Sequence, residues 1–248
     1  MTEAEISKVK TWGEFVEACE KRVDLDNEQL GIESEYVPQA KICSKPDFCL
    51  VAMEPGKIRN KKNWKWQKEK GYKAFNNWHV NYCAYHYLCG GKFKYHITDL
   101  AKGAMPIKIA RKTQTERYKN WLPLFKKELE LLGNPKVIAI GKTVYDDMKK
   151  LGFKADYCIL HYSKGNPWIA KEYDSIKKKF PEPTENEWRT FVKKLMKDYC
   201  GWDEKLIETR DNRQWKKEFP QISDEFNHKG QKKLFTVYGS KFKELAKK

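Results

Sequence analysis

Three side chains with acid–base chemistry each follow a short apolar run: Glu54 after "LVAM", Asp99 (with Thr98) after "KYHI", and His161 after "YCIL". Two carboxylates and an imidazole at one cleft can stabilise developing charge, orient or deprotonate a water, and donate to a leaving group. Two neighbouring carboxylates can instead hold magnesium for phosphate chemistry. Each residue also has a plainer role. Glu54 can leave the core for water, Asp99 can cap the turn that follows, and His161 can be satisfied at a strand end.

What brings the three together is the type of element that precedes each one. "DFCLVAM" (47–53), "KYHITDL" (94–100), "PKVIAIG" (135–141) and "ADYCIL" (155–160) are short, β-rich and apolar. Continuous apolar runs of that length predict strands buried on both faces, as in a parallel sheet. Helical patterns alternate with them: "KTWGEFVEACEKRV" (10–23), "AFNNWHVNYCAYHYLCGG" (74–91), "QTERYKNWLPLFKKELELLG" (114–133, interrupted by Pro123) and "KTVYDDMKKLG" (142–152). The alternation predicts a three-layer α/β/α sandwich around a mostly parallel four-stranded sheet. Parallel strands point the same way, so their carboxyl ends share one rim, which is where open α/β sheets bind ligands.

A further helix is predicted over 185–199, and residues 1–200 are read as one domain. Residues 201–248 form a basic extension of weaker periodicity, read as a helical appendage packed on the domain, a DNA-contacting tail or a solvated terminus. The segment 54–72 is a long loop rich in Lys, Asn and Trp, and loops of that length inside a domain are usually functional or mobile. No internal repeat is present. "AIGKT" (139–143) imitates a phosphate-binding loop, but the glycine that must stand five residues before the Gly-Lys pair is Lys136. Gly141 is therefore read as a strand-to-helix turn, and nucleotide hydrolysis is not expected.

The 248 residues carry 50 Lys and Arg against 34 acids, a net charge of +16, together with 14% aromatic residues. That combination favours a polyanionic partner, nucleic acid first, over a merely solvated lysine-rich surface. No run of apolar residues is long enough to span a bilayer, and the polar start "MTEAEISKVK" argues against a signal peptide. Seven scattered cysteines fit a reducing, cytoplasmic setting. The spacings Cys43 to Cys49 and Cys83 to Cys89 match neither zinc-ribbon nor common iron–sulfur patterns.

"VAMEPG", "ITDLAKGAMP", "KELELLGNPKVIAIGKTVYDDMKKLG" and "LHYSKGNPW" resemble, in order, the successive motifs of the uracil-DNA glycosylase superfamily over residues 40–170. The resemblance implies a monomeric, monofunctional DNA glycosylase that flips a damaged or deaminated base out of DNA and hydrolyses its N-glycosidic bond. It implies that Glu54 positions the attacking water and His161 stabilises the departing base. Asp99 stands where the base is read, and Phe75, backed by Tyr72, stands where the flipped base is stacked. Ser163 lies near backbone phosphate. Lys57, Arg59, Lys61, Lys62 and Lys164 are expected at phosphates from their charge and their adjacency to the site.

The chemistry is consistent with that reading. Base cleavage builds positive charge on the sugar and negative charge on the base, so a carboxylate belongs near one and a donor near the other. A base inside a duplex must leave the stack to be reached. Three departures stand out. Ala52 replaces the usual glycine, Tyr162 replaces the proline after the motif histidine, and Asp99 replaces the asparagine common in uracil-cleaving members. A carboxylate only accepts hydrogen bonds, so Asp99 suits an exocyclic amino group better than the O4 of uracil. The four-cysteine spacing of the iron–sulfur branches is not reproduced, and no cofactor is expected. The rivals are a nucleic-acid-binding module that keeps the fold without the chemistry, and a metal-dependent nuclease using Glu54 and Asp99.

Overall fold

The computed structural model describes residues 1–37, 43–53, 55, 78–161, 167–200 and 229–248. In chain order the elements are α1 (Glu3–Ser7), α2 (Trp12–Leu30), β1 (Glu35–Tyr36), β2 (Phe48–Ala52), α3 (Trp78–Cys83) running into a π-helical turn (Ala84–Leu88), β3 (Tyr95–Asp99), β4 (Gly103–Ala104), α4 (Ile107–Leu131), β5 (Lys136–Ile140), α5 (Lys142–Lys150), β6 (Tyr157–Ile159), α6 (Pro167–Ile176), α7 (Glu185–Cys200) and α8 (Lys229–Leu245). Two compact units emerge. One comprises Met1–Lys73 with Lys94–His161, the other Ala74–Phe93 with Tyr162–Lys248. α8, within the stretch read as an extension, belongs to the second unit. Among the described residues no helix is long and apolar enough to cross a membrane.

The first unit is an α/β fold built on four parallel strands in the order β3-β2-β5-β6. All four predicted strands are present, and the sheet they form is wholly parallel. On one face, Cys49, Val51, Val137 and Ala139 join a core with Phe15, Cys19 and Val23 of α2, Trp121 and Phe125 of α4, and Val144 and Met148 of α5. The residues of opposite alternation, among them Leu50, Ile97, Ile138 and Ile140, are equally buried. Burial on both faces explains why β2 and β5 read as unbroken apolar runs, whereas β3 carries the buried polar residues His96, Thr98 and Asp99 and the edge strand β6 is partly exposed at Tyr157 and Cys158. β1 and β4 form a separate antiparallel ribbon, with Glu35 opposite Ala104 and Tyr36 opposite Gly103.

Two helices are longer than their sequence patterns predict. α2 starts with a Thr11/Glu14 capping box and runs to Leu30 rather than stopping near residue 23, through the polar stretch "DLDNEQL". Polar residues persist in it because Asp26 is buried and satisfied: it accepts from Trp121 Nε1 at 2.7 Å and Asn120 Nδ2 at 3.0 Å, and pairs with Arg22 at 2.8 Å. α4 begins at Ile107 rather than near 114, directly after the extended Pro106. Its first turns are anchored where Ala110 packs with Ile32 and Met105. Helix α4 continues through Pro123, which has no N–H to offer the Lys119 carbonyl.

The second unit has an aromatic interior. Tyr82 packs against Trp188, Phe191 and Phe235 at centroid distances of 6.0, 5.2 and 5.3 Å. His79 stacks on Tyr238 at 5.7 Å, and Cys83 Sγ donates to the Phe235 carbonyl at 3.3 Å. The helix expected over 74–91 is described from Trp78, and its last turn widens to a π-helix before Gly90 and Gly91 end it.

Candidate active site

The register of the sheet sets the rim. Ala52 of β2 lies beside Asp99 of β3, and Ile140 of β5 beside Ile159 of β6. Pairing continues past the strand ends: Leu100 N donates to the Ala52 carbonyl at 2.9 Å and Ala101 N to the Met53 carbonyl at 3.1 Å. On the other side, Gly141 N donates to the Ile159 carbonyl at 2.7 Å. From β2 the strand order steps to β3 on one side, and from β5 it steps to β6 on the other. In open α/β sheets such a divergence marks the place of the ligand crevice, at the carboxyl ends of the two central strands. The ends of β2 and β5 therefore flank it, while Asp99 and His161 stand at its outer ends. Three strand spacings separate β3 from β6, or about 14 Å between backbones.

Asp99 is completely buried, on the opposite face of β3 from His96 and Thr98. Beneath it lies a charged cluster with no exposed surface. Lys102 Nζ donates to Glu128 Oε2 at 2.9 Å, to Thr98 Oγ1 at 3.1 Å and to the Asp99 backbone carbonyl at 2.8 Å. Thr98 Oγ1 donates to Glu128 Oε1 at 2.9 Å, and His96 Nε2 shares a hydrogen bond of 3.0 Å with that same oxygen. The ammonium also lies 5.8 Å from the Phe15 ring centroid and 5.9 Å from that of Trp121. Burial works against the Glu128 carboxylate, but Lys102 and His96 outweigh it and hold its pKa below the ordinary value. The cluster ties the end of β3 to the last turn of α4 through the Asp99 carbonyl and leaves the Asp99 carboxylate on the other face.

His161 follows β6 and is half-buried. Gly141 faces it: φ there is +108°, and a Cβ placed on this glycine would stand 3.1 Å from His161 Cβ and 3.4 Å from its Cδ2. α5 begins immediately after Gly141, and Lys142 is exposed and paired with Asp146 at 2.8 Å. The "AIGKT" segment is thus a strand-to-helix turn, and its lysine is engaged on the surface of its own helix.

Of the residues singled out from sequence, Asp99 and His161 lie on the common rim. Glu54, Lys57, Arg59, Lys61, Lys62, Tyr72, Phe75, Ser163 and Lys164 lie outside the described residues. Glu54 is two positions beyond Ala52 and next to the buried Pro55. Among the described residues no group of three His, Cys, Asp or Glu side chains is disposed to hold a metal. The thiols of Cys19 and Cys49, buried near the Lys102–Glu128 pair, are pushed up by burial and stay protonated, so neither is a nucleophile.

The cluster under Asp99 is the part that sequence reasoning missed, and one signal for it was present. Tyr118, Trp121, Phe125, Glu128 and Leu132 recur at helical spacing and are all buried, so Glu128 is a carboxylate on the apolar stripe of α4. A charge at such a position implies a buried partner. Comparison with family models gives no match, nor does comparison with curated protein sequences.

Proposed function

We propose that the chain is a monofunctional DNA glycosylase with a three-layer fold like that of the uracil-DNA glycosylase superfamily. It flips a damaged or deaminated base out of DNA and hydrolyses the N-glycosidic bond without a cofactor. The observation that carries this reading is the strand order β3-β2-β5-β6, which gathers Asp99, His161 and the end of β2 that leads into Glu54 on one rim. Glu54 orients the water and offsets the positive charge developing on the sugar, and His161 donates to the oxygen of the departing base. Asp99 accepts from the base. Its carboxylate has no exposed surface, so the base meets it through a rearrangement at the rim. At that depth an acceptor discriminates strongly, because a mismatched polar atom has no water to turn to.

The lysines and Arg59 after β2, with Lys164 and Ser163 after β6, flank the rim in sequence and meet DNA phosphates, in keeping with the net charge of +16. The test is to incubate the full chain with single- and double-stranded oligonucleotides carrying uracil, hypoxanthine, xanthine or a mismatch, with and without EDTA, and to probe for alkali-labile sites. Abasic sites formed in EDTA are the expected result. Direct strand cuts that require a metal, or tight binding with neither product, would overturn the reading in favour of a nuclease or a binding module.

A further inference from the structure

The geometry points to Gly141 as the positioning residue for His161, an inference that rests on His161 acting at the departing base. Two features of Gly141 meet at the histidine. Its N–H donates to the Ile159 carbonyl at 2.7 Å, which ties the end of β5 to the strand that carries His161 two residues later. Its missing side chain leaves the space that His161 occupies: a Cβ there would stand 3.1 Å from His161 Cβ, 3.4 Å from Cδ2 and 3.6 Å from Cγ. Gly141 therefore bears on both the strand that leads to His161 and the space its ring fills. The 3.1 Å contact is tighter than about nine in ten real Cβ contacts, so a side chain at 141 requires His161 to give by a few tenths of an ångström.

Gly141 also has φ of +108°, so a substitution there strains the backbone whatever the space around it. Gly152, at +78° with nothing within 4 Å of its would-be Cβ, is a reference for a positive-φ glycine that has no histidine against it. Gly141→Ala is expected to melt about 2–4 °C below Gly152→Ala, to shift the His161 ring resonances in spectra of histidine-labelled protein, and to lower kcat for base release about tenfold with KM little changed. Gly152→Ala leaves the ring resonances and the rate as they are. Gly141→Ala should cost less thermal stability in a His161→Gly background than in the native chain, because the backbone strain is common to both and the contact is not.

Unmoved His161 resonances in Gly141→Ala, or the same excess loss of stability with His161→Gly present, would overturn the assignment. Should Gly141→Ala not fold, the native protein decides: nuclear Overhauser contacts between a Gly141 α-proton and the His161 β- or δ2-protons are expected, and their absence overturns it. The spectra and melting curves need no substrate. A displaced histidine in a protein that releases no base sinks the glycosylase reading alone, and base release with an unmoved histidine sinks the positioning role alone.

Discussion

The two ends of the rim are held in opposite ways. At β3, the backbone beside Asp99 is gripped from below by a buried ammonium, itself neutralised by Glu128 and surrounded by Thr98 and His96. At β6, His161 is half-buried and packs into the space that the missing side chain of Gly141 leaves. An ionic clamp in the interior ties function to stability, because each charge depends on its partner. The fit of half-buried His161 against Gly141 separates them, since the histidine can change with little loss to the core.

The largest effect expected from this contrast is on stability at the β3 end. Glu128→Gln leaves Lys102 charged, buried and without a counter-ion, and should destabilise the protein by about 3–5 kcal/mol in urea titrations. His161→Gln should cost less than about 1 kcal/mol in the same titrations. A similar loss for both variants would erase the distinction.

Activity should invert that order. His161→Gln and Glu54→Gln are each expected to lower kcat for base release by about 100-fold or more while DNA affinity holds, because the shape stays and the chemistry goes. Native rates in either variant would remove that residue from the proposed mechanism.

Replacing the clamp as a pair sharpens the comparison further. Lys102→Met with Glu128→Leu removes both charges, so stability should recover only part of the Glu128→Gln loss, because Thr98, His96 and the Asp99 carbonyl lose the partners the clamp gave them. Base release should still fall, by about tenfold, because the Asp99 carbonyl has lost its donor. Full recovery of both would mean that the clamp serves folding alone. Asp99→Asn exchanges an acceptor for a group that also donates, and should move preference toward uracil by about tenfold or more; an unchanged substrate profile would show that Asp99 does not read the base.

The smallest effect is the dependence on acid. Glu128 has a lowered pKa in the folded chain, so its contribution is complete above the ordinary carboxylate value of 4.5 and is lost as pH falls below that value through the lowered one. Urea midpoints should therefore drop more steeply below pH 4.5 in the native protein than in Glu128→Gln. Parallel profiles would show that the carboxylate is not charged in the fold.

Much of this architecture was legible before any coordinates. The strands β2 and β5 announced themselves because burial on both faces demands continuous apolar residues, β3 and β6 through their β-rich residues, and the polar ends followed from where those runs stop. The reach of α2 was not legible, since "DLDNEQL" looks like a solvated stretch until Trp121 and Asn120 of another helix are seen to bond Asp26. Glu128 was hidden similarly in "KKELELLG", among charges that are mostly on the surface. Gly141 was read correctly as a turn, yet nothing in "AIGKT" indicates a histidine twenty residues later.

The sequence by itself determined the strands, their common direction and the kinds of group at their ends, because local burial patterns and turn residues are written in neighbouring positions. Only the tertiary structure decided the strand order that sets Asp99 and His161 at opposite ends of the rim, the ionic clamp under one and the vacant position beside the other. Those depend on contacts between residues 19 to 88 positions apart. Contacts at such separations leave no periodic trace in the chain and are settled when the core closes.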